Sequence, residues 1–467
     1  MKALLSIIPA LAVIFVLFFS CATVEEPVQP EPVVKEKAAE EKPPEPEKDI
    51  LDVINGHVQE GDYEAALEIF LDDAGGIPDK PDDLVFYASL LLAKGDREAA
   101  KEALSLAVEK DPENTDALYT LSLLQGTEGD TDTQKETLEE IVEKDPEHAM
   151  AYTSLGRVYM KQNKHKAAKE LFQKALEYEP DNIIALEGTG SVLMKEKDYS
   201  RAAEVYTRII KKDREYMFAY IDRSRAYQGL DELKKAEEDL STAIELNPEY
   251  FWNYFDRGRI RLHQKKLQDA LEDFSRAIEL NPDNFFPYAY RAGIFDELGF
   301  SEKAIEDYGT VLLLRQDYYF AYVPLAVLLY MKGEYSDAEL LFKQASLYEE
   351  EEFTYPLMAA LCMKRAEKNK EAEEYLKEKI RNISSKNPFY PLYRLYIDKG
   401  FEIHTLYAIE ETKDTIQKNQ LLFYFANHYL LQGKINLAQQ YFLEVEENCP
   451  PDTLEHRIAV RELEAYR

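Results

Sequence analysis

The chain is poor in cysteine and in basic residues. It has only three cysteines in 467 residues, too few and too scattered for a disulfide framework. Lysine and arginine together number 56 against 89 aspartate and glutamate residues, so the formal net charge is -33. A charge of this sign repels phosphate backbones and anionic lipid surfaces. The composition therefore argues against nucleic acid as a partner.

Motifs for catalysis and for cofactor or metal binding are also missing from the sequence. The seven histidines lie far apart, without the HExxH or close-pair spacing of a metal site. The chain has no glycine-rich phosphate loop and no nucleophile elbow. We therefore expect no enzyme, no catalytic residue, no cofactor and no metal ligand.

Because a single core stops growing at about 250 to 300 residues, we expect several domains or a stacked array.

The pattern of the N-terminal residues predicts an export signal. Lys2 precedes an apolar run, Ala3–Phe19, which is typical of a secretory signal peptide over residues 1–20. Ser20-Cys21 follows and resembles a bacterial lipoprotein signal, in which the cysteine is lipidated and becomes the mature N-terminus. That resemblance implies a membrane-anchored lipoprotein of the cell envelope, facing the periplasm or the cell surface.

The lipoprotein signal departs from the usual pattern. Bulky Phe18 and Phe19 stand where a leucine and a small residue are common. Three other interpretations therefore remain open for Cys21: ordinary cleavage beside it, an uncleaved anchor, or a cysteine that is only an apolar filler.

A charged, proline-rich segment follows the cysteine. Residues 22–46 contain seven Glu, six Pro and three Lys and no aromatic residue, so they cannot bury enough surface to become ordered. A proline-rich chain of this length reaches at most about 80 Å at roughly 3.1 Å per residue. We expect residues 21–46 to be a lipidated cysteine and a tether that holds a folded body off a membrane. The alternative is a plain disordered tail.

The rest of the chain repeats itself every 34 residues. Three successive blocks align without a gap: Met217–Tyr250, Phe251–Asn284 and Phe285–Tyr318. Extending this frame gives ten blocks over residues 47–386. Small residues such as Gly156 and Ala168 recur at the eighth and twentieth places, and a turn signal such as Gly95-Asp96 lies between them. Each block is therefore predicted to form two helices and two turns.

These columns point to a family. One block carries Leu155-Gly156, Tyr159, Ala168, Phe172, Ala175 and Pro180, and at these offsets it resembles a tetratricopeptide repeat. The resemblance implies an all-α superhelical solenoid of helix-turn-helix repeats, whose first helices form a concave face. Downstream we expect a degenerate repeat at 387–418, another repeat at 419–452 and a capping helix at 453–467 that hides the open apolar end.

Two columns of opposite charge change together. The seventh place holds Arg223, Arg257 and Arg291, and the twenty-third holds Asp239, Asp273 and Asp307. In another block the same two places hold Leu155 and Leu171. We therefore predict an ion pair between the two helices of each block, rather than an anion-binding site.

A second set of columns predicts a binding groove. The resemblance implies that the second, fifth, ninth and twelfth places of the first helix face the concave surface. The candidate groove residues at these places are Phe218, Ile221, Arg225, Trp252, Phe255, Arg259, Phe286, Phe320, Val323 and Tyr330. Such an apolar groove with two cations suits an amphipathic peptide or an acidic apolar ligand. Alternatively, the rings only pack against the adjacent repeat.

The predicted function is binding rather than chemistry. We expect a lipid-anchored scaffold or adaptor of the bacterial cell envelope, with a protein or peptide partner. The alternative is a ligand-binding or chaperone-like periplasmic component that holds a small organic acid or an unfolded polypeptide in the groove. A third interpretation is an enzyme within the divergent residues 353–418.

Overall fold

A computed structural model describes residues 50–349, 352–398 and 400–466. Every regular element in these ranges is a helix, which confirms the predicted all-α class. The predicted signal peptide, Cys21 and the tether lie outside the described residues. No helix in the part of the chain that is described is long and apolar enough to cross a membrane.

The chain divides into two compact units, one ending at Gly76 and the other beginning at Ile77. The first unit contributes the hairpin of α1 (Ile50–Glu60) and α2 (Tyr63–Ala74). The second unit begins with nine hairpins: α3 (Pro81–Lys94), α4 (Arg97–Lys110), α5 (Thr115–Glu128), α6 (Thr131–Lys144), α7 (Ala149–Lys161), α8 (His165–Tyr178), α9 (Ile183–Lys195), α10 (Tyr199–Lys212), α11 (Met217–Gly229), α12 (Leu233–Leu246), α13 (Phe251–His263), α14 (Leu267–Leu280), α15 (Phe285–Glu297), α16 (Ser301–Leu314), α17 (Tyr322–Lys332), α18 (Tyr335–Tyr348), α19 (Thr354–Arg365) and α20 (Asn369–Lys379).

The pattern changes after α20. The segment predicted as a degenerate repeat contains two short helices, α21 (Tyr390–Ile397) and α22 (Glu402–Glu411). A longer hairpin follows, formed by α23 (Thr415–Leu431) and α24 (Ile435–Asn448), and α23 begins upstream of the predicted boundary at residue 419. The last helix is α25 (Leu454–Glu464).

Local signals explain where the helices begin and end. Asp96 caps α4 by accepting a hydrogen bond from the Ala99 backbone N–H, and Asn182 caps α9 in the same way through Ala185. Gly95 ends α3 with a φ of 94°, a left-handed conformation that glycine adopts without steric penalty. Together these residues give the tight turn that the sequence predicts between the two helices of a hairpin.

Small residues let the helices approach one another closely. Phe172 of α8 is fully buried, and a Cβ atom added to Gly156 of α7 would lie 2.7 Å from its ring. A Cβ atom added to Gly188 of α9 would lie only 2.3 Å from the same ring. Phe172 therefore packs against first helices of two successive hairpins, and both positions need glycine.

The predicted arginine–aspartate pairs are confirmed. Arg223 Nε and Nη2 donate to Asp239 Oδ2 and Oδ1 at 2.8 and 2.7 Å, and the other two pairs repeat this bidentate geometry. Each arginine also donates through Nη1 to a hydroxyl on the second helix of the preceding hairpin, which for Arg223 is Thr207 Oγ1 at 3.0 Å. The arginine column therefore connects successive hairpins.

The C-terminal helix α25 lies along first helices of the solenoid. Arg457 Nη1 and Nη2 donate to Asp296 Oδ2 and Oδ1 of α15 at 3.0 and 2.7 Å. Glu462 pairs with Arg365 of α19 at 3.0 Å, and α25 also packs against α17 and α23. Because these four partners are all first helices, α25 occupies the concave face of the downstream hairpins as well as covering α24.

Candidate functional site

An open cleft of about 550 Å³ lies on the first helices α11, α13 and α15. Six of the residues that were predicted to form the groove line it, namely Ile221, Arg225, Trp252, Phe255, Arg259 and Phe286. The structure adds five that the columns did not predict: Tyr250, Asn253, Asp256, Tyr290 and Tyr318.

The other four predicted groove residues do not line this cleft. Phe218 and Phe320 are the first and last residues of the aromatic column, and both are exposed. The Phe218 ring contacts the ring of Tyr250, and the Phe320 ring contacts that of Tyr318. Val323 is partly buried and packs against the core of the downstream hairpins.

Tyr330 requires a correction, because it cannot belong to an open groove. Its side chain is fully buried, and the Arg461 guanidinium of α25 lies 5.8 Å from the centre of its ring. Tyr330 lies on the first helix α17, and α25 covers it there.

Aromatic rings form the floor of the cleft. Phe255 is buried, and its ring centre lies 5.5 Å from that of Trp252 and 5.4 Å from that of Tyr290. Phe286 of the next first helix lies 6.1 Å from Phe255 and remains 37% exposed. Phe255 therefore packs against the adjacent hairpin, whereas Phe286 presents an apolar surface to solvent.

Alternating charges follow the same face. Arg225 Nη1 donates to Asp222 at 2.8 Å, and its Nη2 lies 3.8 Å from Asp256. Asp256 is also 3.5 Å from Arg259, so it lies between two guanidinium groups. Burial raises the pKa of both Asp222 and Asp256, although their arginine neighbours act in the opposite direction.

The alternation ends at Arg259. The sixth place of α11 and α13 holds an aspartate, whereas in α15 it holds Tyr290. The Arg259 guanidinium lies over the rings of Phe255 and Tyr290, at 5.8 and 6.0 Å from their centres. Its side chain is 46% exposed, so this cation can still accept a ligand on its solvent side.

Asn253 is a polar residue of the cleft that sequence reasoning missed. Its Nδ2 donates to the Ala243 carbonyl at 3.1 Å, while its buried Oδ1 has no hydrogen-bond partner among the described residues. Asp256 and Tyr290 were missed as well. Both occupy the sixth place, next to the fifth-place column, and reading that neighbouring column would have found them.

Outside the cleft, the described residues offer few groups that could bind a metal ion or react. No three His, Cys, Asp or Glu side chains in the described ranges are arranged to hold a metal ion. Cys362 and Cys449 are buried free thiols, and burial raises the pKa of each. A second depression lies beside α21 and α22, where Ile403 and Tyr407 are exposed.

The tetratricopeptide repeat family matches residues 153–216, 219–250 and 253–284. These ranges cover most of α11 and α13 and seven of the eleven residues that line the cleft. The fold is a tetratricopeptide repeat solenoid. No curated protein sequence matches the chain significantly.

Several solved structures are similar to parts of this solenoid. YrrB, described as a tetratricopeptide repeat protein with an unusual peptide-binding site, is 22% identical over 40% of this chain and 96% of its own, with a TM-score of 0.36. A tetratricopeptide repeat protein of Parabacteroides merdae is 16% identical over 53% of this chain and 98% of its own, with a TM-score of 0.41. Pseudomonas aeruginosa PilF is 18% identical over 44% and 92% respectively, with a TM-score of 0.39.

Proposed function

We propose that this solenoid is a non-catalytic scaffold that binds a protein or peptide partner in the cleft on α11, α13 and α15. One observation carries the proposal. The concave face of the downstream hairpins is filled by α25, whereas the cleft upstream is open and presents aromatic rings beside Arg259. Exposed apolar surface of this kind marks sites where another molecule binds.

The contacts of α25 support a helix or peptide as the occupant of this face. Ile458, Ala459 and Leu463 are its buried apolar residues, and Arg457 and Glu462 add charged contacts to the first helices. An amphipathic helix in a groove is a common mode of peptide recognition. The concave face thus already accommodates one segment of the chain through apolar burial and ion pairs.

Substituting both Trp252 and Phe286 with alanine tests the proposal. Buried aromatic anchors of an interface contribute about 2 kcal/mol or more each, so we expect the partner to be lost from co-purification with the full chain. A matched control removes two exposed apolar side chains from second helices, through Leu313→Ala and Leu347→Ala. The control should retain the partner, and circular dichroism should show unchanged helix content in both variants. Recovery of the same partner with the cleft variant would refute this site.

We also propose that the scaffold is anchored in a bacterial cell envelope through a lipid on Cys21. The signal-like residues 1–20 and the charged, proline-rich residues 22–46 support this location. Serine cannot be lipidated in this way, so Cys21→Ser should move the protein from the membrane fraction to the soluble fraction. Membrane association that persists unchanged in the variant would contradict the anchor.

A ligand-binding or chaperone-like role is the second candidate. The cleft volume of about 550 Å³ falls within the range of small-molecule sites, so a ligand such as a small organic acid would fit inside it. This role predicts a bound small molecule in the mass spectrum of the native purified protein. A scaffold predicts instead that a polypeptide accompanies it.

A further inference from the structure

We infer that the cleft selects a peptide segment in which an acidic side chain stands beside a bulky apolar one. The carboxylate binds Arg259, and the apolar side chain packs on Trp252 and Phe286. This inference rests on the proposed function, because it names the chemistry of the partner that the cleft would bind.

The distribution of charge identifies Arg259 as the recognising group. Arg225 has two carboxylates within 4 Å, whereas among the described residues only the shared Asp256, at 3.5 Å, lies within 4 Å of Arg259. A guanidinium carries five N–H donors, and a carboxylate can accept two of them side by side. An acidic side chain of the peptide would therefore give Arg259 a second carboxylate partner, as Asp222 and Asp256 together give Arg225 two.

The surroundings of Arg259 require an apolar neighbour. Phe255 and Tyr290 lie beneath the guanidinium, and partly exposed Phe286 lies beside Phe255. A lone small anion would leave this aromatic surface in water. A segment with an aromatic or branched aliphatic residue next to the acid covers the surface and excludes water from the ion pair.

The extent of the cleft favours a peptide over a small acid. Its lining comes from three successive first helices, α11, α13 and α15. Packed helices lie about 8–10 Å apart, so the cleft extends over roughly 20 Å, the reach of about six extended residues. A small carboxylic acid would contact only one of the two helix junctions.

The negative charge of the whole chain does not oppose this selection at short range. The Debye length is about 8 Å at physiological ionic strength, so the distant part of the net charge of -33 is largely screened at the cleft. The local guanidinium then determines which side chain is preferred. A charge-assisted hydrogen bond corresponds to roughly a 10-fold to 100-fold preference over a neutral group.

A random hexapeptide library with acetylated and amidated termini tests the inference on the full chain. Peptides retained by the immobilised protein are sequenced by mass spectrometry. The wild type should enrich Asp or Glu next to an aromatic or branched aliphatic residue by about 10-fold or more. Arg259→Gln should remove the acidic enrichment and keep the apolar one. Arg276→Gln is the matched control, because this arginine lies on the second helix α14, and it should behave as the wild type does.

Four outcomes of the library experiment would overturn the inference. They are enrichment without acidic residues, acidic enrichment that survives Arg259→Gln, enrichment only in a library with free C-termini, and no enrichment at all. Displacement of the peptides by 3-phenylpropionate with equal affinity would also overturn the choice of a peptide. If co-purification of a partner still depends on Trp252 and Phe286 in any of these cases, the scaffold proposal stands and only the acidic preference falls.

Discussion

Replacing Arg223 with leucine should lower the free energy of unfolding of the central hairpins by about 3–5 kcal/mol. The reason is that Asp239 is buried and loses both of its bidentate hydrogen bonds, which leaves an unpaired carboxylate inside the protein. Thr207 loses its bond to the same arginine. The change is measured by urea unfolding followed through the fluorescence of Trp252, the single tryptophan of the chain, in the adjacent helix α13.

Two further variants separate the pairing from a general loss of packing. Adding Asp239→Leu to Arg223→Leu should restore most of the stability, because Leu155 and Leu171 occupy the same two places in another hairpin. Arg257→Leu alone should have a smaller effect than Arg223→Leu, because Arg261 Nη1 still donates to Asp273 at 2.9 Å. An Arg223→Leu protein within about 0.5 kcal/mol of the wild type would contradict the assigned role of this pair.

The second large effect concerns Glu455 in the first turn of α25. Burial, together with a smaller contribution from the nearby Glu352, raises the pKa of this carboxyl from 4.5 to about 7. One of its oxygens, Oε1, is buried and has no hydrogen-bond partner in the described part of the chain. Glutamine has the same size and no charge. We therefore expect Glu455→Gln to stabilise the protein at pH 8 by about 3 kcal/mol.

The direction of the pH dependence follows from the raised pKa. Between about pH 4.5 and 7 the folded state keeps a proton on Glu455 that the unfolded state has released. The contribution of this group to the free energy of unfolding therefore falls as the pH rises through that range, and it stays low above pH 7. The wild type and the variant should accordingly be equally stable at pH 4.5 or below, and they should diverge up to pH 7.

Thermal unfolding of both proteins by circular dichroism, at pH 4.5 and at pH 8, measures this difference. Other titrating groups affect the wild type and the variant alike, so they cancel when the two are subtracted. Glu464→Gln is the control, because Glu464 is exposed on the same helix. A Glu455→Gln protein that is no more stable than the wild type at pH 8 would contradict the burial of an ionised carboxylate at this site.

The sequence predicts the repeat and its internal pairs well, because each hairpin places the same residues in the same surroundings. Arg223 and Asp239 could be paired before the structure was known, since their two columns change together. The position of α25 could not be predicted in this way. This helix is not part of the repeat, and its residues do not indicate which four first helices it contacts. This is why the sequence alone predicts that Tyr330 lies in an open groove.

The candidate site shows a similar division. The columns predict that Trp252, Arg259 and Phe286 share one face, because the 3.6-residue period brings those places together, and all three residues line the cleft. They did not predict that Asp256 and Tyr290 also line the cleft. Side-chain direction and the angle between successive hairpins decide whether the sixth place reaches the concave surface, and a period does not determine either.

Site-specific crosslinking tests the central claim most directly. A photoreactive residue is placed at position 286 in the cleft, or at position 313 on the second helix α16, in cells that produce the full chain. The crosslinked proteins are identified by mass spectrometry. The scaffold proposal predicts a specific polypeptide linked from position 286 and not from position 313, and its loss when Trp252→Ala is added. Recovery of nothing above background from position 286, or of the same proteins from both positions, would contradict it.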